Sequence, residues 1–232
     1  ADAAGSQAFI MPLSVTDVHA IDRSGGTILH TSRTRPSKMR AKDLPLFLQH
    51  DGQGPDDIVD CTDHVLSVFA ALGIVLIAIG GDDTLSYAAR IHDAGMPTIC
   101  IPKTMDNDVF GTEYCIGYST CVTRSIELID RLRTPVGSHE RFLVVELFGR
   151  NCGQTALMAG YLAGADRTLI AEVPFDLDRV TGYLGEDRRA NPSNYAVVVV
   201  SEGAQVSGQA IFESGDPDAY GHRKLGGVGQ AI

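Results

Sequence analysis

Short apolar runs alternate with amphipathic segments along most of this chain. Continuous apolar runs predict buried strands at residues 74–79, 97–101, 142–147 and 195–200. Apolar residues spaced three and four apart predict helices at residues 56–72, 84–93, 119–132 and 154–163. Strands that alternate with helices favour an α/β fold with parallel sheets, whose strand–helix–strand units are right-handed.

Weaker signals add shorter elements at both ends of this pattern. Ser14 can cap a short helix that ends before the glycines at positions 25 and 26. A further strand is expected near residues 168–171, and residues 176–189 are polar enough for a surface helix and loop. The glycine-rich end of the chain predicts the start of a helix at residues 227–232.

Four of the predicted strands lead into loops rich in glycine and charged residues. Ligands bind at the carboxyl ends of parallel strands, so loops that share this edge are expected to form a site. The loops are residues 80–84, 102–108, 148–153 and 201–204. Their charged side chains are Asp82, Asp83, Lys103, Asp106, Asp108, Arg150 and Glu202.

The residue types in these loops suit the chemistry of phosphate groups. A carboxylate such as Asp106 can take a proton from a substrate hydroxyl, and Lys103 can meet an anionic group. Gly80 and Gly81 allow close approach of the backbone, and the helix that follows presents N–H groups to an anion. A carboxylate beside a phosphate usually acts through Mg²⁺. Taken alone, residues 80–84 fit a capped tight turn equally well.

Composition and absent motifs narrow the class of protein. With 44% hydrophobic residues, 21% charged residues and a net charge of −10, the chain is expected to be globular and to bind neither nucleic acid nor membranes. The longest uncharged stretch, residues 65–80, is shorter than the ~20 residues of a membrane span. Five cysteines without a C-x-x-C pair favour a reducing cytoplasm and disfavour zinc. The sequence contains neither a Walker A motif nor G-x-G-x-x-G, which disfavours P-loop kinases and Rossmann dehydrogenases.

Taken together, the ordered segments resemble the phosphofructokinase family. They are residues 25–29, 31–33, 79–84, 102–108, 116–120, 138–141, 145–150 and 201–204. The resemblance implies two Rossmann-like parallel-sheet domains with the site in the cleft between them. Residues 1–117 would form the domain that binds the phosphoryl donor, and residues 118–232 the domain that binds the sugar phosphate. It also implies that a first strand with a phosphate loop precedes residue 1, and that the rest of the sugar-phosphate site follows residue 232.

The resemblance gives each matching residue an expected role. Asp106 would accept the proton of the sugar 1-hydroxyl, with Lys103 and Arg150 as further catalytic residues, and Asp82 would hold Mg²⁺. The donor would be bound by Gly81, Asp82, Asp83, Thr84 and Arg33. The sugar phosphate would be bound by Thr104, Met105, Asp106, Asp108, Phe148, Gly149, Arg150 and Glu202. Arg141 would reach the sugar phosphate of a neighbouring subunit, which implies a homo-oligomer, either a dimer or a tetramer.

Two positions address the identity of the donor. Members of the family that use ATP typically have glycine where this chain has Asp83 and Lys103, and the pair resembles the diphosphate-dependent branch. An aspartate adds bulk and negative charge where the α-phosphate of a nucleotide would lie, whereas a lysine can bind diphosphate. The predicted activity is transfer of a phosphoryl group from diphosphate to the 1-hydroxyl of fructose 6-phosphate.

Three alternative functions remain open at this stage. One is an ATP-dependent phosphofructokinase that tolerates Asp83, and another is a truncated subunit that binds sugar phosphate without turnover. Lipid and NAD kinases share the Gly-Gly-Asp signature but do not explain residues 102–108. Phe148 and His30 stand where methionine and glycine are usual in the family, so a reshaped sugar pocket is expected.

Overall fold

The computed structural model describes residues 10–32, 34–218 and 221–232. The chain forms two compact units, one that ends at Val75 and one that runs from Leu76 to Ile232. The expected boundary at residue 117 separates functional domains and remains a prediction. Within the described residues, no helix combines the length and the apolar character needed to cross a membrane.

The first unit consists of short elements. Helix α1 (Val15–Val18) begins at Ser14, whose side chain accepts a hydrogen bond from the Asp17 N–H while Asp17 accepts one from the Ser14 N–H. This capping box confirms the predicted helix start. The remaining elements are 3₁₀ turns at Ile21–Arg23, Pro36–Lys38, Ala41–Asp43 and Leu46–Leu48, the antiparallel strands β1 (Met39–Arg40) and β2 (Ile58–Val59), and helix α2 (Thr62–Leu72).

Helix α2 is shorter than predicted. The sequence pattern predicts a helix over residues 56–72, but Ile58–Val59 pairs with β1 as a strand and the helix begins at Thr62. Asp60 Oδ1 accepts hydrogen bonds from the N–H and the hydroxyl of Thr62, which satisfies a free donor of the first turn. The predicted end is correct, because Gly73 adopts a left-handed φ of 62° after the last helical residue.

The second unit begins with a three-stranded parallel sheet. Its strands are β3 (Leu76–Gly80), β4 (Thr98–Thr104) and β5 (Ile116–Gly117), in the order β3-β4-β5, and helix α3 (Asp82–Asp93) joins the first two. The prediction that the second strand breaks at Pro102 is wrong, because Lys103 and Thr104 pair with Ile116 and Gly117. These two site residues therefore lie on a strand and not in a loop.

A second parallel sheet carries the remaining predicted strands. Its strands are β6 (Phe142–Leu147), β7 (Arg167–Leu169) and β8 (Ala196–Ser201), in the order β6-β8-β7. Its helices are α4 (Tyr118–Ser138), α5 (Gln154–Leu162) and α6 (Leu177–Ala190). Every residue of β8 is buried, with alternate valines in separate core clusters on its two faces. Helices on both faces explain why this strand is continuously apolar.

The end of the chain packs against the second sheet. Strands β9 (Glu213–Ser214) and β10 (Lys224–Leu225) pair antiparallel, and the short helix α7 (Val228–Ala231) follows. The carboxylate of Glu146 on β6 accepts hydrogen bonds from the N–H groups of Gly227 and Gly229 at 2.9 and 2.8 Å. Two parallel sheets with helical connections confirm the α/β class expected from the sequence, with Rossmann-like strand–helix–strand units.

Candidate active site

The Asp106 carboxyl group is the most unusual side chain of the predicted site. It follows strand β4 directly, and its backbone N–H donates to Thr104 Oγ1 at 3.2 Å. Its Oδ1 atom is buried and has no hydrogen-bond partner among the described residues. Buried carboxyl oxygens normally have partners, and an unpaired one at a strand end is suited to meet a substrate hydroxyl.

Charges from both sheets act on Asp106. Burial above all, together with the carboxylates of Asp108 and Glu202 and against the opposing charge of the Arg150 guanidinium, raises the pKa of Asp106 to about 6. Arg150 follows β6 and Glu202 follows β8, both in the second sheet, whereas Asp106 follows β4 of the first. The charges that shift the pKa of Asp106 therefore come from strand ends of both sheets, which lie close to one another.

Close backbone contact holds the two loops of the second sheet together. Ser201 Oγ donates to the Gly149 carbonyl at 2.6 Å. A Cβ atom on Gly203 would lie 1.9 Å from the Arg150 carbonyl oxygen, so no larger residue fits there. Burial raises the pKa of Glu202, while a backbone hydrogen bond from Gly149 and the charge of Arg150 oppose that rise. The Arg150 guanidinium also donates to the Arg223 carbonyl at 2.8 Å.

Helix α5 contacts the loop that carries Asp106. Thr155 Oγ1 donates to the Met105 carbonyl at 2.7 Å, and Asn107 Nδ2 donates to Gln154 Oε1 at 2.6 Å. Sequence reasoning missed these three side chains. A threonine near the start of a helix is ordinary, and no local pattern reveals that its partner lies 50 residues away.

The expected donor-binding residues lie at the start of helix α3. Asp82 and Asp83 occupy its first turn, and Gly80 is so close to Thr84 that an added Cβ atom would lie 2.5 Å from the Thr84 Cβ. Asp83 Oδ2 lies 3.6 Å from His222 Nδ1, a neighbour that no local sequence pattern predicts. A Cβ atom on Gly81 would lie 3.8 Å from the Thr104 Cβ, so the donor loop is adjacent to the end of β4.

The carboxylates at the start of helix α3 can hold a magnesium ion only if the substrate supplies further ligands. Within residues 10–32, 34–218 and 221–232, no group of three or more His, Cys, Asp or Glu side chains could hold a metal ion. Mg²⁺ is commonly bound by one or two carboxylates together with substrate phosphates and water. Asp82 is exposed in the first helical turn and can supply one such carboxylate.

Most of the other predicted site residues have exposed side chains. Lys103, Met105, Asp108 and Phe148 have exposed side chains near the ends of β4 and β6. Arg141 is exposed at the amino end of β6, opposite to the end that carries Gly149 and Arg150. Its position leaves it available to another molecule and not to the site of its own chain. Arg33 lies outside the described residues.

Comparison with known proteins agrees with this geometry. The family model described as phosphofructokinase matches residues 4–224. The chain belongs to the phosphofructokinase family. Solved structures of the family share its fold. A pyrophosphate-dependent phosphofructokinase from Marinobacter aquaeolei gives a TM-score of 0.54 at 28% identity, over 62% of this chain and 41% of that protein.

Curated relatives of this phosphofructokinase chain carry two kinds of name. The chain is 40% identical over 220 residues to a pyrophosphate–fructose 6-phosphate 1-phosphotransferase of Amycolatopsis methanolica, and the match covers 94% of this chain and 58% of the relative. It is 37% identical over 224 residues to ATP-dependent 6-phosphofructokinase 3 of Streptomyces coelicolor, covering 96% and 60%. The chain thus spans less than two thirds of the length of these relatives.

Proposed function

We propose that this chain forms most of a diphosphate-dependent 6-phosphofructokinase. The enzyme would move a phosphoryl group from diphosphate to the 1-hydroxyl of fructose 6-phosphate, with Mg²⁺ as its metal ion. The observation that carries the proposal is the buried Oδ1 of Asp106, which has no hydrogen-bond partner in the part of the chain that the structure describes and belongs to a carboxyl group that interacts with charges from the loops of both sheets.

Asp106 has the properties of a general base at neutral pH. With a pKa of about 6, roughly nine in ten carboxyl groups are ionised at pH 7. The raised pKa makes the carboxylate a stronger base than an exposed aspartate, which brings it nearer to the value at which proton transfer is efficient. As the pH falls through 6, the carboxyl group is protonated and activity is expected to fall with it.

Cations on the same loops would stabilise the charge of the moving phosphoryl group. Phosphoryl transfer depends mainly on positioning and on neutralising the oxygens of the phosphoryl group. Arg150 lies close enough to Asp106 to lower its pKa, and Lys103 is exposed near the same strand end. Asp82 would hold Mg²⁺, which would neutralise phosphate oxygens of the donor.

The choice of diphosphate over ATP rests on Asp83 and Lys103. Both are charged residues at positions where ATP-using relatives typically have glycine. Asp83 lies in the first turn of α3 beside His222, and we propose that its side chain takes space that a nucleotide would need. Among the relatives reported above, the one named for pyrophosphate is slightly more similar than the one named for ATP.

Donor assays test the proposal directly. The gene-encoded protein should form fructose 1,6-bisphosphate with diphosphate and Mg²⁺, and should do so much less efficiently with ATP. Replacing Asp83→Gly together with Lys103→Gly should reverse that preference, while His92→Ala, which changes an exposed residue at the far end of α3, should not. A wild-type protein that prefers ATP at equal concentrations would contradict the choice of donor.

An ATP-dependent enzyme is the second candidate. A relative with that activity in its name is 37% identical across 96% of this chain, so similarity alone does not separate the two donors. In that case Asp106, Arg150 and Glu202 would keep their roles, and only the donor loop would differ in function. The exposed Arg141 supports a further proposal, that the enzyme is a homo-oligomer in which this residue reaches a neighbouring sugar phosphate.

A further inference from the structure

Two neighbouring residues of helix α5 hold the loop on which Asp106 lies. Thr155 Oγ1 donates to the carbonyl of Met105, the residue before Asp106. Gln154 Oε1 accepts a hydrogen bond from the side chain of Asn107, the residue after it. We propose that Thr155 and Gln154 are positioning residues, which fix the Asp106 carboxylate by holding its two chain neighbours.

The two contacts differ in burial and therefore in expected strength. Thr155 is 0% exposed, and its hydroxyl meets the Met105 carbonyl at 2.7 Å. Removing the buried hydroxyl would take away the partner that Thr155 supplies to the Met105 carbonyl oxygen, which is costly. Gln154 is exposed, so water can replace its bond to Asn107 more easily. Thr155 is thus the principal contact and Gln154 the lesser one.

Asn107 extends the effect of Gln154 across the loop. Its backbone has a left-handed φ of 57°, and its side-chain Oδ1 accepts a hydrogen bond from the Cys115 N–H at 2.7 Å. Its Nδ2 donates to the Glu113 carbonyl at 2.9 Å in addition to Gln154. One side chain therefore joins both halves of the loop between β4 and β5 to helix α5.

Positioning through neighbouring residues matters here because Asp106 Oδ1 accepts no hydrogen bond from the described residues. That atom is buried without a hydrogen-bond partner in the described parts of the chain, so no donor there fixes its direction. The orientation of the carboxylate must come from the backbone on either side. Both contacts come from helix α5, which packs on the second sheet, whereas the loop follows a strand of the first. A displacement of the reacting groups by 1 Å can cost about a hundredfold in rate.

A matched pair of threonine substitutions tests the inference in the gene-encoded protein. Thr155→Val removes the hydroxyl and keeps the shape, whereas Thr155→Ser keeps the hydroxyl. We expect Thr155→Val to lower kcat about tenfold to a hundredfold, with the KM for fructose 6-phosphate changed by less than about threefold. Thr155→Ser should stay within about threefold of wild type, and Gln154→Leu should lie between the two.

The chain offers a control with the same chemistry elsewhere. Thr98 Oγ1 donates to the Met96 carbonyl at 2.9 Å, at the amino end of β4 and away from Asp106. Thr98→Val removes another hydrogen bond from a threonine hydroxyl to a methionine carbonyl, but the Thr98 side chain is only partly buried. It should lower thermal stability by less than Thr155→Val and leave kcat per folded molecule unchanged.

The acid limb of the pH profile separates positioning from general destabilisation. Asp106 is surrounded by Asp108, Glu202 and Arg150, with the thiols of Cys121 and Cys152 close enough to interact with it. Loosening the loop should admit water and lower the pKa of Asp106 towards its ordinary value. The acid limb of kcat/KM in Thr155→Val should then move to lower pH. The phosphates of the substrates titrate alike for every variant, so only the difference between variants is used.

The inference rests on the proposed role of Asp106 but not on the choice of donor, so every variant is measured with whichever donor the wild type uses. An unchanged kcat in Thr155→Val would overturn it. A loss of kcat in Thr98→Val or in Thr155→Ser as large as that in Thr155→Val would also overturn it. Loss of kcat per folded molecule without movement of the acid limb would also overturn it, because the surroundings of the Asp106 carboxylate would then be unchanged. Near-normal turnover in Asp106→Asn would instead overturn the assignment of the base.

Discussion

The two parallel sheets of the second unit differ in how completely they are covered. In the second sheet, β8 is buried on both faces, and Ile129 of helix α4 packs against it at 0% exposure. In the first sheet, Ile77, Ile79 and Ile99 remain 54%, 51% and 57% exposed. The three lie on one face of the paired strands, since Ile77 is opposite Ile99 and Ile79 follows two residues on.

The difference separates the proposed base from the structure that supports it. Asp106 extends from the sheet with the exposed face, and its loop is held by Thr155 and Gln154 from the well-packed one. A rigid support can keep a buried carboxylate in place at a cost in stability that the rest of the fold offsets. The comparison therefore predicts that activity and stability respond to changes in different sheets.

The largest effect is expected when the base itself is removed. Asp106→Asn keeps size and shape but cannot accept the proton of the sugar hydroxyl, and it should lower kcat by about 10²–10⁴. Burial raises the pKa of Asp106 in the folded protein, so above pH 6 the ionised carboxylate weakens the fold relative to a neutral side chain. The Asn variant should thus be at least as stable as wild type at pH 7, as measured by urea unfolding.

The control for this prediction lies on the same loop. Asp108→Asn changes an exposed carboxylate two residues away, and it should reduce activity less because Asp108 acts on Asp106 only through charge. A variant at position 106 that turns over normally while it binds fructose 6-phosphate would show that another group accepts the proton.

The second prediction compares one substitution in the two sheets. Ile129→Ala creates a cavity beside β8 and should lower the free energy of unfolding by about 2–5 kcal/mol. Ile99→Ala removes a half-exposed side chain from β4 and should cost about 1 kcal/mol or less. Urea denaturation of both variants measures the difference. Equal losses would mean that the exposed face of the first sheet is covered in the folded protein, and the comparison would fail.

The sequence predicted the covered sheet better than the exposed one. The strand at residues 142–147 was found as predicted, and β8 lies one residue from its expected position. Continuous burial on both faces gives a long apolar run, which is a strong local signal. In the first sheet, β4 continues past Pro102 because pairing with β5 recruits Lys103 and Thr104. That pairing depends on residues far along the chain and leaves no local pattern.

The candidate site shows the same division. The sequence predicted Asp106, Arg150 and Glu202 from glycine and charged residues that follow apolar runs, and the structure brings the three close enough to interact. Their roles stay predictions. Thr155, Gln154 and His222 were missed, because each acts through a contact with a distant part of the chain. Arg133 illustrates the same limit away from the site, since its guanidinium binds the carbonyls of Ala163 and Gly164 at the end of α5.

A second contact between the sheets involves His222 and is expected to have the smallest effect. The segment that carries it is held next to the second sheet, because the Arg150 guanidinium donates to the Arg223 carbonyl. Within the segment, Asp218 Oδ1 accepts the His222 N–H at 2.9 Å. Its imidazole reaches Asp83 of the donor loop at 3.6 Å, with about two fifths of both side chains exposed. An exposed contact of this kind contributes about 1 kcal/mol or less to stability. Removing the His222 imidazole should therefore change donor binding and leave the free energy of unfolding nearly unchanged.

Replacing His222→Ala should therefore raise the KM for the phosphoryl donor by about threefold to fivefold, because Asp83 loses the neighbour that limits its movement. The KM for fructose 6-phosphate should not change. His222→Asn should restore most of the loss, since its amide nitrogen can occupy the place of Nδ1, and His222→Gln should restore less. A double-mutant cycle with Asp83→Asn measures whether the imidazole acts through the aspartate. Additive effects in that cycle would show that His222 contacts the donor by another route, and the exposed contact between the sheets would then have no part in donor binding.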